Sequence, residues 1–118
     1  MLTITTHHWG QKYGPEYVDR LAAGVQRYLK QEHRFVVIAD DTAKQSPIHE
    51  VWRIPPQDRH LLAVKGCFAR LRMFAPAWQS EHGMKLGDRI ASLDLDMVIT
   101  GPLDPLFDRP ESFVILQG

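Results

Sequence analysis

Apolar residues in this chain fall into short continuous runs separated by stretches of helical spacing. Leu2 to Thr6 is short and rich in β-branched residues and predicts a first strand. Gly14-Pro15 marks a helix start, with Pro at the first helical position. Val18, Leu21, Ala22, Val25, Tyr28 and Leu29 then recur on one helical face. Glu16 and Asp19 in the first turn, and Arg27 and Lys30 near the end, suit the helix dipole. Phe35 to Ala39 is a continuous apolar run, as in a strand buried on both faces of a parallel sheet. Val51 to Ile54 predicts a short strand that stops at Pro55-Pro56. Leu61 to Ala75 predicts a second helix, with Val64, Phe68, Leu71 and Ala75 on one face and Pro76 ending it. Arg89 to Leu93 reads as another buried strand, Leu103 to Phe107 as at most a helical turn, and Phe113 to Leu116 as a last strand.

Strands alternating with helices predict an α/β domain with a mostly parallel sheet and right-handed crossovers. The 118 residues suffice for one modest core, so residues 1–118 are expected to form a single domain. Ligands of such sheets sit outside the carboxyl ends of the strands. Candidate chemistry is therefore expected at His7-His8-Trp9-Gly10, at Asp40-Asp41-Thr42 and at Asp94-Leu95-Asp96.

Composition narrows the function classes. Apolar residues make up 44% and charged residues 24%, an ordinary globular balance. Fourteen basic residues are matched by fourteen acidic ones. That argues against a partner held by bulk charge, whether nucleic acid or an anionic membrane surface. One cysteine, Cys67, excludes an intrachain disulfide and a Cys-rich zinc site. An apolar helix would make it a buried, inert thiol. No apolar run is long enough to span a bilayer. Met1-Leu2-Thr3-Ile4 lacks the basic lead-in of a secretory signal, so a cytoplasmic location is expected.

The zero balance hides an asymmetry. From Arg59 to Arg89 six basic residues face two acidic ones, and from Asp94 to Glu111 five acidic residues face one basic. In the acidic stretch, Asp94 and Asp96 share one side of an extended segment because they are two apart. Two such carboxylates at a strand end suit a hard divalent cation whose shell is completed by substrate phosphates. Nine aspartates in the chain would supply one Asp-x-Asp by chance, and Asp also favours turns and caps. What lends the pair weight is its position between Ile90-Ala91-Ser92-Leu93 and Met97-Val98-Ile99, where unpaired carboxylates are unfavourable. His7 and His8, adjacent on a strand, point to opposite faces and do not share a metal. Trp9, Trp52 and Trp78 are expected in packing roles.

The segment Ile90-Ala-Ser-Leu-Asp-Leu-Asp-Met-Val-Ile-Thr-Gly-Pro-Leu-Asp-Pro-Leu-Phe107 resembles the core of glycosyltransferases of the GT-A fold, in particular the glycogenin-like superfamily. Trp9-Gly10, Tyr13, Tyr17-Val18 and Leu21 resemble the strand-to-helix segment of bacterial members, and Phe35 to Asp41 resembles their second strand. The resemblance implies a Rossmann-like nucleotide-diphospho-sugar transferase fold binding a nucleotide-sugar donor, with a UDP-sugar expected. It implies that Thr6 and Tyr13 hold the nucleoside, Asp41 faces the base or ribose, and Lys65 reaches the diphosphate. Asp94 and Asp96 would bind ribose and a divalent metal, Mn²⁺ or Mg²⁺. Lys65 as a solvated helix residue, Tyr13 as packing at the helix start, and Asp40 and Asp41 as turn caps are the plainer alternatives.

Members of that superfamily continue beyond the Asp-x-Asp strand and there usually supply a further metal ligand, often a His. Here 22 residues follow Asp96 and no His follows His82, so the fold is expected to be truncated, with its acceptor site and catalytic side chain unassigned. Two other readings stand beside hexosyl transfer. One is a non-catalytic nucleotide-binding or assembly domain, self-associating through an exposed sheet edge. The other is a haloacid-dehalogenase-like phosphatase, whose first motif Asp94-Leu-Asp-Met-Val98 matches locally, though that motif normally opens its domain.

Overall fold

The computed structural model describes residues 1–63, 72–85 and 88–114. Strands β1 (Leu2–His8), β2 (His33–Ala39), β3 (Glu50–Arg53) and β4 (Arg89–Ser92) form one sheet in the order β3-β2-β1-β4. All three pairings are parallel. Helices α1 (Pro15–Tyr28), α2 (Pro76–Glu81) and α3 (Asp104–Phe107) and a 3-10 helix over Pro56–Ala63 complete the described elements. The architecture is α/β, an all-parallel sheet flanked by helices, and is compatible with a Rossmann-like fold.

β1 lies in the interior of the sheet, and all seven of its residues are buried. Alternation along the strand sends Leu2 and Ile4 to one face, where they meet Leu21 and Val25 of α1 and Leu29 just beyond it. Thr5 and His7 point to the other face. There Thr5 Oγ1 lies 3.9 Å from the Met73 sulfur and donates to the Ala91 carbonyl at 3.0 Å. On that second face Val36, Ile38, Trp52, Met73 and Trp78 form a separate cluster. Ile4, Val36 and Val37 are fully buried, each worth about 1.5–3 kcal/mol of hydrophobic stabilisation.

α1 starts at Pro15, whose fixed φ suits the first helical position, after an extended Gly14. Beyond β4 the chain turns back over α1. Met97, Ile99, Leu103, Leu106 and Phe107 pack against the α1-side cluster. The Leu103 N–H donates to the Tyr28 carbonyl at 2.8 Å. The Asp104 carboxylate accepts from the backbone N–H groups of Lys30 and Gln31 at 2.9–3.1 Å.

The strand order sets where a ligand can sit. The crossover from β1 to β2 carries α1 on one face, and the return from β3 to β4 carries α2 on the other. This is what right-handed connections running in opposite directions require. Their divergence leaves a switch point between the carboxyl ends of β1 and β4.

Four expectations are corrected. The first strand runs two residues further than Thr6, so His7 and His8 end β1 rather than follow it. The helix expected over Leu61 to Ala75 is 3-10 rather than α at its described residues 61–63 and 72–74. The 3-10 helix begins at Pro56, and residues 64–71, which include Lys65 and Cys67, lie outside the described residues. Pro76 does not end a helix but opens α2, because its missing N–H costs nothing in the first turn. Phe113 and Val114, expected to begin a last strand, are exposed and non-strand, while residues 115–118 lie outside the description. No helix among the described residues is long and apolar enough to cross a membrane.

Candidate functional site

Beyond β4 the parallel ladder continues for one residue, with the Leu93 N–H donating to the Thr5 carbonyl at 2.9 Å. The chain then turns, and the Met97 N–H reaches the Asp94 carbonyl at 3.2 Å. Burial alternates through this segment. Leu93 and Leu95 are buried at 7% exposure each, while Asp94 and Asp96 face solvent. Leu95 is the anchor, packing with Val18, Val37 and Ala39, and Tyr13 and Tyr17 close over the same cluster. The fold thereby places the Asp94–Asp96 turn and Tyr13 in one neighbourhood beside the switch point. Tyr13 packs edge-on against Tyr17 at 4.6 Å, with the Lys12 ammonium 5.3 Å from its ring centre.

Thr6, on β1 beside Val37, is fully buried, and its Oγ1 has no hydrogen-bond partner among the described residues. Asp41 is exposed, two residues beyond the end of β2. The carboxylate that organises this corner is its neighbour Asp40. Asp40 accepts from the backbone N–H of Gly10 at 3.2 Å, of Thr42 at 3.2 Å and of Ala43 at 3.0 Å, and from the Thr42 hydroxyl at 3.0 Å. Burial is the largest single influence on its pKa and acts to raise it. The Thr42 hydroxyl and the three N–H donors together outweigh burial and hold the carboxyl below its ordinary value. Gly10 can turn its N–H toward Asp40 because it adopts φ 74°, a conformation that favours glycine. Asp40 therefore ties the loop after β1 to the loop after β2.

His8, also fully buried, is bonded at both ring nitrogens. Its Nε2 lies 2.8 Å from the Tyr13 carbonyl and its Nδ1 2.7 Å from the Gln45 amide nitrogen. With the Gln45 amide oriented this way, the ring donates from Nε2 and accepts at Nδ1. On the same loop, Ser46 and His49 bond Asp19 of α1 at 3.0 and 2.7 Å. Those two bonds, with the charge of His49 adding to them against burial, hold the Asp19 carboxyl below its ordinary value.

The opposite side of the strand ends carries a crevice lined by His7, Ile38, Trp52, Arg53, Ile54, Pro55, Asp58, Arg72, Met73 and Trp78. His7 and His8 thus occupy opposite faces, as alternation requires. Trp52 and Trp78 are core residues, packed edge-on at 5.3 Å and flanked by His82.

Of the residues expected at a donor site, Tyr13, Asp41, Asp94 and Asp96 lie at or near the carboxyl edge. Thr6 lies beneath it, and Lys65 is outside the described residues. Gln45, Arg53 and Arg72 were not singled out from the sequence; His8 and Asp40 lay at expected positions without a donor-site role, and Asp40 takes the turn-capping part that was its plainer alternative. Asp40 had a legible signal, an Asp two residues before a Thr at a strand end, the pattern of an Asx turn. His8–Gln45 had none, because their contact spans 37 residues.

Asp94 and Asp96 are both exposed on the turn after β4, and carboxylates there suit a hard cation bound by few protein ligands with other positions filled by a substrate. Among the described residues no group of three or more His, Cys, Asp and Glu converges as a metal site. Compared with protein families, curated proteins and solved structures, the chain matches none.

Proposed function

We propose that this chain binds a nucleoside-diphosphate sugar at the carboxyl ends of β1 and β4, as the donor-binding portion of a glycosyltransferase-like protein. The observation that supports the reading is the Asp94–Asp96 turn: two exposed carboxylates, anchored through buried Leu93 and Leu95, beside the switch point of an all-parallel sheet. Asp94 and Asp96 would hold a divalent cation, Mn²⁺ or Mg²⁺. Such an ion neutralises charge on a diphosphate, in the ground state and as it departs. Tyr13 would flank the nucleoside and Asp41 its ribose or base. Asp40 has no direct part; it fixes the two loops that frame the site.

Calorimetric titration with nucleoside diphosphates, UDP first, with and without Mn²⁺, tests the reading. Metal-dependent binding is expected, weakened at least about tenfold in Asp96→Ala, the scale of one lost charged contact. No binding at any metal concentration would overturn it. Slow hydrolysis of a bound UDP-sugar would separate a transferase from the second reading, a binding module that does no chemistry. That second reading draws on the two-carboxylate site itself, which has no further described acid or imidazole converging on it.

A further inference from the structure

On the α2 side of the strand ends, the crevice between β1–β3 and the 3-10 helix combines an apolar floor with a cationic rim. Ile38, Trp52, Met73 and Trp78 are all at most 8% exposed and form the floor. Arg53 and Arg72 stand at the rim. Among the described residues, each guanidinium makes one side-chain hydrogen bond. Arg53 donates from one terminal nitrogen to the Asp40 carbonyl at 2.6 Å. Arg72 donates from Nε to Asp58 at 3.0 Å. Among the described lining residues Asp58 is the only carboxylate against the two arginines. The crevice is small, with a cavity volume of about 20 Å³, room for a water or two. That shape excludes a large buried ligand and suits one compact group seated at the mouth.

We propose that this crevice is an anion site, which takes a phosphate group between Arg53 and Arg72 without a metal. The planar fork of arginine matches phosphate oxygens in pairs, and a guanidinium already oriented by a second bond loses less freedom on binding. The apolar floor lowers the local dielectric and strengthens the attraction. The site does not depend on Asp94 or Asp96. It accepts free phosphate or the terminal phosphate of a larger molecule, and these sources differ in what else they touch.

The test is titration of the full chain with inorganic phosphate, pyrophosphate and a nucleoside monophosphate at constant ionic strength, in chelator and without divalent metal. Tryptophan fluorescence is the readout, because Trp52 and Trp78 line the crevice. Saturable phosphate binding is expected, weakened at least about tenfold in Arg72→Gln and in Arg53→Gln, the scale of a lost charge-assisted bond. It should be unchanged in Asp94→Asn/Asp96→Asn. Tighter binding of the nucleotide than of phosphate would identify a larger natural ligand, and equal binding would identify phosphate itself. If Arg72→Gln does not fold, Arg72→Lys keeps the charge and removes the fork, and is expected to weaken binding. The proposal is overturned if phosphate produces no saturable change, or if the folded arginine variants bind it as the wild type does. Because this assay excludes metal and the donor assay depends on it, each reading can fail while the other stands.

Discussion

Gly24 sits in the middle of α1, where glycine costs about 1 kcal/mol of helix stability relative to alanine. The reason for it is Ile99. A Cβ at position 24 would lie 3.0 Å from both Cβ and Cγ1 of Ile99, too close unless the returning segment shifts. Gly24→Ala therefore sets a helix gain of about 1 kcal/mol against an overpacking cost of about 1–3 kcal/mol. We expect net destabilisation in urea unfolding. In an Ile99→Gly background, which removes both the Cβ and the Cγ1 of Ile99, the same substitution should stabilise, because the clash is gone. Destabilisation in both backgrounds would refute the account. The helix itself was legible from Val18, Leu21 and Val25. The glycine was not explicable from sequence, because its partner is 75 positions away and carries no local signal.

At the scale of elements, the segment after β4 is held by the packing of Met97, Ile99, Leu103, Leu106 and Phe107 on the α1-side cluster and latched by the carboxylate of Asp104. Its carboxyl is held below the ordinary range by the N–H groups of Lys30 first and Gln31 second. Asp104→Ala removes the acceptor for both. It should lower the melting temperature and speed hydrogen exchange at the Lys30 and Gln31 amides, while amides in β1 change in proportion to global stability alone. Unchanged exchange at those two positions would show that the latch does not form in solution. Sequence reading succeeded for β2, where Phe35 to Ala39 is apolar throughout. It also placed β4, and a helical turn near residues 103–107. It failed around Pro76 because proline is read in two ways. It terminates a preceding helix and it starts a following one, and only the backbone on either side distinguishes the two.

Acid sensitivity belongs to the whole molecule. Asp19, Asp40, Asp88 and Asp104 are all held below their ordinary value of 3.8, by donors drawn from different elements, with burial opposing in each case. A carboxylate with a depressed folded pKa contributes stability that is fully present above its unfolded pKa and is lost as pH falls through the folded value. Stability should therefore hold at neutral pH and decline below about pH 4. Asp40→Asn should be less stable than wild type at pH 7, and the gap should narrow as pH falls, since both then carry a neutral side chain. A gap that stays constant between pH 7 and pH 3 would sink this assignment. The sequence by itself determined the class of architecture, because buried parallel strands and amphipathic helices leave periodic signals within a dozen residues. It also singled out Asp94 and Asp96, which are both exposed, but the extended segment expected to put them on one side is a turn, in which the Met97 N–H reaches the Asp94 carbonyl. Only the tertiary structure decided that Asp40, not Asp41, ties the corner together, and that Arg53 and Arg72 meet at one crevice. Those facts depend on strand order and on contacts between residues far apart in the chain, and no local pattern encodes them.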